Sequence, residues 1–195
     1  KSINKFKPEI IVHMAAQSIV RESFENPIYT FETNIIGTAN LLEISKELSS
    51  IKSILVITSD KCYENIEKNI SYKETDKMGG HDPYSASKGC AELIAASYHR
   101  SFFYDSYDVS LATARAGNVI GGGDWATDRL IPDFVRALQN ESAIEIRYPN
   151  SLRPWQYVLE PLRGYLMLAE KQYQNKKNFS GAWNFGPYEE NTISV

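Results

Sequence analysis

The chain has 195 residues, 43% of them hydrophobic and 23% charged, with a formal net charge of -3. This is the composition of a soluble globular protein with room for one good core, and it supplies no basic field for nucleic acid. Two cysteines, Cys62 and Cys90, are too few for a disulfide framework and match no zinc spacing, so a reducing cytoplasm and no metal are expected. No apolar run reaches membrane-spanning length, and residues 1–7 lack the apolar core of a signal peptide. Neither membrane insertion nor secretion is expected.

In chain order, residues 9–14 hold Ile10, Ile11 and Val12, and residues 53–58 hold Ile54, Leu55, Val56 and Ile57. Both are continuous apolar runs, the pattern of strands buried on two faces in a parallel sheet. Between them, residues 31–48 carry Ile35, Ala39, Leu42 and Leu48 at near-helical spacing. A second helix is predicted from Pro83 through Cys90, Leu93, Ile94, Tyr98 and Phe102, and a third strand over residues 109–114. Strand and helix in alternation make the doubly wound α/β pattern, in which ligands gather at the carboxyl ends of the strands. Residues 13–17, 58–61 and 115–118 fall there. After a Gly-rich turn at residues 121–123 the rhythm changes: a helix over 131–140, a short strand near Ile144, a helix over 159–173 and a polar loop over 174–181. That stretch reads as a smaller lid. A dinucleotide fold opens on a strand and a Gly-rich phosphate turn, yet no G-x-G-x-x-G occurs in these residues, so the chain is expected to start in mid-domain.

The chemistry concentrates in two places. Lys88 follows Tyr84 by four residues, so on a helix opened by Pro83 the phenol and the ammonium share one face. A free tyrosine has a pKa of about 10, and a neighbouring cation is one of the few means of lowering it. Tyr-x-x-x-Lys alone is also an ordinary amphipathic helix start. Upstream, Ser59, Asp60 and Lys61 stand at the end of the second strand, where the plain reading is a solvated charge pair.

The order of several motifs decides between these readings. His13-Met14-Ala15-Ala16-Gln17, Thr33-Asn34-Ile35-Ile36-Gly37-Thr38, Thr58-Ser59-Asp60-Lys61-Cys62-Tyr63-Glu64-Asn65, Gly79-Gly80-His81-Asp82-Pro83-Tyr84, Ala114-Arg115-Ala116-Gly117-Asn118 and Arg153-Pro154-Trp155-Gln156 follow one another in the chain. In this order they resemble the extended short-chain dehydrogenase/reductases acting on nucleotide sugars. Most 4,6-dehydratases of that family have Asp-Glu where this chain has Asp60-Lys61, and the difference resembles the branch acting on CDP-glucose.

The resemblance implies a partial Rossmann-type sheet over residues 1–120, binding NAD, and part of a nucleotide-sugar substrate lid over residues 121–195. It implies a hydro-lyase that dehydrates a nucleotide sugar, CDP-glucose in this branch, by internal hydride transfer. Tyr84 is the implied base at the C4 hydroxyl, Ser59 its partner on that hydroxyl, and Lys88 the residue that lowers the Tyr84 pKa and bonds the nicotinamide ribose. Asp60 is the implied acid for the leaving C6 hydroxyl, and Lys61 stands where the family has a base. Two questions stay open: how Asp60 keeps a proton beside an ammonium, and which group takes the C5 proton. Ala15, Ala16 and Gln17 resemble the family turn against the cofactor, although a plain strand-to-helix turn fits the alanines almost as well. Asn118, Arg129 and Arg153 suit diphosphate oxygens, with Arg153 alternatively stacking on Trp155, and Leu130 resembles a position under the base. His13 and Asn34 read as structural, Asn34 as a buried backbone clamp, and Arg21 as a surface charge. The resemblance further implies a cytoplasmic homodimer pairing through the helices that begin near residues 31 and 83, in deoxysugar synthesis for bacterial surface polysaccharide (lipopolysaccharide O-antigen). Another dehydratase or epimerase of the family, or an inactive nucleotide-sugar-binding fragment, are the alternatives.

Overall fold

The chain begins with a short helix, α1 (Ser2–Phe6), and the strand β1 (Ile10–His13), then turns through α2 (Val20–Glu25) and α3 (Pro27–Phe31). A wide π-helical turn over Glu32–Ile36 runs directly into α4 (Gly37–Ser45), and β2 (Ser53–Ile57) follows. Next come α5 (Pro83–Tyr98), β3 (Ser110–Ala116), β4 (Val119–Ile120) and α6 (Leu130–Gln139). β5 (Leu152–Arg153), β6 (Gln156–Tyr157), α7 (Leu159–Gln174), β7 (Gly181–Phe185) and β8 (Ile193–Ser194) complete the order. This computed structural model describes residues 2–66, 70–104, 108–188 and 193–195.

The main sheet has the order β1-β2-β3-β7, every pair parallel, with registers Ile10↔Ser53, Ser53↔Ser110 and Ala112↔Gly181. Alternate side chains of β2 enter two cores, as the pleat requires. Ile54 and Val56 pack with Leu42, Ala95, Phe103 and Leu111 beneath α4 and α5, while Leu55 packs with Ala112, Ala114, Tyr165 and Leu168 against α7. Leu42, Ile54 and Leu55 are each fully buried, a burial that contributes roughly 1.5–3 kcal/mol per side chain. With helices on both faces, the carboxyl ends of β1, β2 and β3 are left open for a site.

The expected sheet, with strands over 9–14, 53–58 and 109–114, is thus present, and so are the helices from Pro83, Leu130 and Leu159. Three features differ. The helix expected over 31–48 starts earlier, because Pro27 opens a turn that the π segment merges with α4. Residues 143–146 form no strand: Ile144 and Ile146 alternate with Ala143 and Glu145, but among the described residues no neighbour pairs with them, and Ile146 is exposed. The fourth strand, β7, lies in a segment read only as following a loop, since Gly181, Ala182 and Asn184 give it no β-branched signal. Among the described residues no helix is long and apolar enough to cross a membrane.

Candidate active site

The first turn of α5 sets the base. Asp82 caps the helix, its Oδ1 accepting from the Ser85 backbone N–H at 2.9 Å and its Oδ2 from the Ser85 hydroxyl at 2.6 Å, and Pro83 follows at the first helical position. Tyr84 therefore sits in the first turn and Lys88 one turn later. Gly80 makes the approach to this helix possible: its φ is +153°, and a Cβ there would lie 2.3 Å from the Ala86 backbone nitrogen.

The end of β2 brings the second group. Ser59 caps a 3-10 turn over Asp60–Cys62, accepting from the Lys61 N–H at 3.2 Å and donating to Asp60 Oδ1 at 3.0 Å. The same hydroxyl bears on the Tyr84 phenol, favouring its ionised form. Tyr84 and Ser59 are each 8% exposed, so this is an interior contact between two elements far apart in sequence. Lys88 completes the group, its ammonium 6.0 Å from the Tyr84 ring centre and donating to the Ile57 carbonyl at 3.3 Å.

The electrostatics correct one expectation and resolve another. Burial pushes the Tyr84 phenol above its ordinary pKa; the Ser59 hydroxyl opposes this, and Asp60 adds to it. The lowering expected from Lys88 therefore does not prevail. The ammonium faces a carbonyl, and burial has pulled Lys88 itself down to about 8, with Glu92 resisting. Asp60 goes the other way from what its neighbours favour: burial raises it, outweighing Lys61, Ser59 and Arg153. A carboxyl beside an ammonium is thus kept closer to its protonated form.

The turn after β1 is held from below. Asn34, 2% exposed, accepts from the Gln17 N–H at 2.8 Å and donates to the Gln17 carbonyl at 2.9 Å. It also donates to Ser87 Oγ at 2.8 Å, and Ser87 donates to the Tyr84 carbonyl at 2.6 Å. Asn34 is the clamp that was expected. The Gln17 side chain donates to Thr30 Oγ1 at 2.8 Å and to the Ile19 carbonyl at 3.1 Å, so what this turn leaves open is backbone beside the small Ala15 and Ala16. His13 pairs with Thr38 Oγ1 at 3.1 Å, in keeping with a structural role.

The outer residues are spread more widely. Arg153, on β5, bears on the Asp60 carboxyl. Gly117 lets this happen: a Cβ there would meet Pro154 Cγ at 2.6 Å and Asp60 Oδ2 at 3.2 Å. Arg129 pairs with Asp124 at 3.3 Å and donates to Ser18 Oγ at 2.7 Å, while its charge bears on Tyr84. Leu130 opens α6 half-buried, and Asn118 anchors β4 to β6 through its carbonyl, which accepts from Gln156 N–H at 2.9 Å. Arg21, 59% exposed, pairs with Asp128 at 2.7 Å. Sequence reasoning placed Thr58 and Arg115 at strand ends and Tyr63 in a motif, but it missed Glu92 and Thr113 and the buried group that all five form behind these residues. Glu92 is one turn beyond Lys88 on the same stripe of α5, the one signal that could have marked it. Among the described residues no cluster of His, Cys, Asp and Glu could hold a metal ion.

A parallel sheet wrapped on both faces, with Ser59, Tyr84 and Lys88 gathered at its strand ends, defines a Rossmann-type protein of the short-chain dehydrogenase/reductase kind. Residues 1–182 match the family model described as GDP-mannose 4,6 dehydratase, and the chain belongs to that family. It is 54% identical over 198 residues to the CDP-glucose 4,6-dehydratase of Salmonella typhimurium, covering 100% of this chain and 55% of that protein. The chain thus spans about half the length of that relative. Among solved structures, a UDP-N-acetylglucosamine 4-epimerase from Methanobrevibacter ruminantium superposes with a TM-score of 0.82 at 23% identity, over 100% of this chain and 60% of the other, and shares the fold. The dTDP-glucose 4,6-dehydratase DesIV from Streptomyces venezuelae, solved with NAD bound, gives 0.77 at 25% identity, over 91% of this chain and 51% of its own.

Proposed function

We propose that this chain supplies the catalytic middle of an NAD-dependent hydro-lyase that converts CDP-D-glucose to CDP-4-dehydro-6-deoxy-D-glucose. The observation that carries this reading is the buried group of Tyr84, Ser59 and Asp60: the Ser59 hydroxyl donates to Asp60 Oδ1 at 3.0 Å and bears on the Tyr84 phenol, so one hydroxyl stands between a base and an acid. A simple dehydrogenase has no use for the acid. The choice of CDP-glucose is supported by the 54% identity to a CDP-glucose 4,6-dehydratase and by the Asp60-Lys61 pair.

The residues present fit a nicotinamide cofactor: Ala15 and Ala16 leave backbone open after β1, and Lys88 and Tyr84 stand beside the end of β2. When bound, NAD would accept a hydride from C4 of the sugar and later return it at C6. Tyr84 takes the proton of the C4 hydroxyl while Ser59 orients that hydroxyl, and Lys88 bonds the ribose, keeping base and cofactor in register. With C4 oxidised, the C5 proton becomes acidic. Asp60 then protonates the departing C6 hydroxyl, a task its burial-raised pKa suits, and Lys61 on the same turn, once it has given up its own proton and stands as the free amine, is the candidate to receive the C5 proton.

Residues 1–120 form the cofactor side of this site together with α7 and β7, which complete its sheet, so the substrate lid expected over residues 121–195 narrows to the segments of that stretch outside them. Asn118, Arg129 and Arg153 serve the diphosphate and Leu130 packs under the base. Two copies pair through the apolar surface of α3, the π-helical turn before α4, and α5, where Ile28, Ile36 and Leu93 are each more than half exposed. The decisive experiment incubates the longest natural chain carrying this sequence with NAD and each nucleoside-diphosphate glucose, then identifies any 4-keto-6-deoxy product. CDP-glucose is expected to react fastest; no 4-keto product from any of them would refute the assignment.

A further inference from the structure

Glu92 is 4% exposed and carries its carboxylate into the interior of the fold. Oε1 accepts from the Thr58 hydroxyl, and Oε2 accepts from the Thr113 hydroxyl at 2.8 Å and from Arg115 Nη2 at 2.7 Å. Arg115, likewise 4% exposed, donates Nη1 to the Tyr63 hydroxyl at 2.7 Å and to the Glu74 carbonyl at 3.1 Å. Tyr63 in turn donates to Asn184 Oδ1 at 2.7 Å. Stability alone is a poor reason for such a pair, because desolvating two charges costs about what their attraction returns, and an apolar pair of like volume would serve as well.

What the network touches is specific. Thr58 immediately precedes Ser59, and Tyr63 immediately follows the Asp60–Cys62 turn, so the two ends of the segment bearing Ser59, Asp60 and Lys61 are both gripped. On α5, Lys88 stands one helical turn before Glu92.

We propose that Glu92 is a positioning residue of the candidate active site: through Thr58, Arg115 and Tyr63 it fixes the Ser59-Asp60-Lys61 segment, and it is the counter-charge of Lys88. This rests on the reading of Tyr84 and Lys88 as base and cation. The groups that bear on Lys88 are Glu92 and Tyr84 on α5, Cys62 on the turn after β2 and His13 at the end of β1, with Arg115 beyond Glu92. Cys62 is pushed up to about 12 by burial and stays neutral, so Glu92 is the anion among them. Burial has already brought Lys88 down to about 8, which leaves its charge sensitive to that anion.

The test uses the longest natural chain, wild type and Glu92→Gln, and follows the carbon-13 shift of Lys88 against pH beside the pH profile of turnover. In Glu92→Gln the Lys88 midpoint is expected to fall by about one pH unit, with turnover near neutrality cut to roughly half and regained in more acid solution. Glu92→Asp is expected to recover most of both. Should Glu92→Gln fail to fold around an unpaired Arg115, the double variant Glu92→Met, Arg115→Met removes both charges at similar volume and takes its place. A lower turnover with an unmoved Lys88 midpoint and an unmoved profile marks a purely structural role and overturns the proposal, even where Tyr84→Phe is inactive. A moved midpoint with full turnover in Tyr84→Phe overturns the functional reading instead.

Discussion

The Lys88 ammonium lies 6.0 Å from the centre of the Tyr84 ring, and its hydrogen bond goes to the Ile57 carbonyl. Burial raises the phenol, the cation that opposes it being Arg129 and not Lys88, and Tyr84 is a neutral phenol at neutral pH in the free chain. Activation of the base is then a property of the loaded site. A bound sugar hydroxyl beside Ser59 and a cofactor beside Lys88 would change the contacts that set the phenol's acidity.

Tyr84→Phe isolates that base. The substitution removes only the hydroxyl, which sits against Ser59, so the expected stability change is about 1 kcal/mol or less. Turnover in the full-length protein is expected to fall by a factor on the order of 10^3 or more. Reduced-nicotinamide absorbance after mixing with CDP-glucose checks the chemistry, and a denaturant titration checks the fold; unchanged turnover would sink the assignment.

Lys88→Met is expected to stabilise the protein while abolishing its chemistry. The folded-state value of about 8 lies below the ordinary 10.5, so the unfolded chain holds this proton more tightly. The group therefore costs stability in full below pH 8, and the cost fades as the pH rises from 8 toward 10.5. Removing it gains roughly 1–3 kcal/mol near neutrality, after allowing for the Ile57 carbonyl left without this donor, and the gain shrinks at alkaline pH. Urea titrations at the two ends of that range measure the difference; a gain that grows with pH would contradict the sign.

The parts of this fold that could be read from the chain are those written in local pattern. Continuous apolar runs marked β1 and β2, but only β2 is buried on both faces as that pattern predicts, since Ile10 and Val12 of the edge strand β1 are exposed; Asp82-Pro83 marked the start of α5 because cap and first helical position are local events. β7 escaped because its identity comes from pairing with β3, not from its own residues. Ile144 misled for the converse reason: alternation without a partner makes no strand. In the site, Ser59, Asp60, Tyr84 and Lys88 were named by motif, but their mutual contacts join elements far apart in the chain. Glu92 looked like an ordinary polar position and Arg115 was marked only as a strand-end residue, since nothing local distinguishes a buried ion pair from a solvated one.

Asn34→Ala should cost about 2–4 kcal/mol, because it strips partners from the buried Gln17 N–H and carbonyl and from Ser87 at once. The damage should be local before it is global. Hydrogen exchange at the Gln17 amide is expected to accelerate more than exchange in β2 or β3, and Tyr84 should feel the loss through Ser87. Uniform acceleration across the sheet would show that Asn34 supports the core rather than the turn.

Asp60→Asn separates the two halves of the proposed reaction. Asparagine keeps the size of the side chain and an oxygen to accept from Ser59, but it has no acidic proton to give. Oxidation at C4, assigned to Tyr84, should survive, so reduced nicotinamide should build up after mixing while the 4-keto-6-deoxy product falls by a factor on the order of 10^2–10^4. Because burial raises Asp60 despite Lys61 and Arg153, the wild-type acid is present at lower pH and is lost as the pH rises through that elevated value. The Asn variant should lack this alkaline fall in the elimination step. If it blocks the first oxidation as completely as Tyr84→Phe, Asp60 acts with the base and not after it, and the late-acid role is wrong.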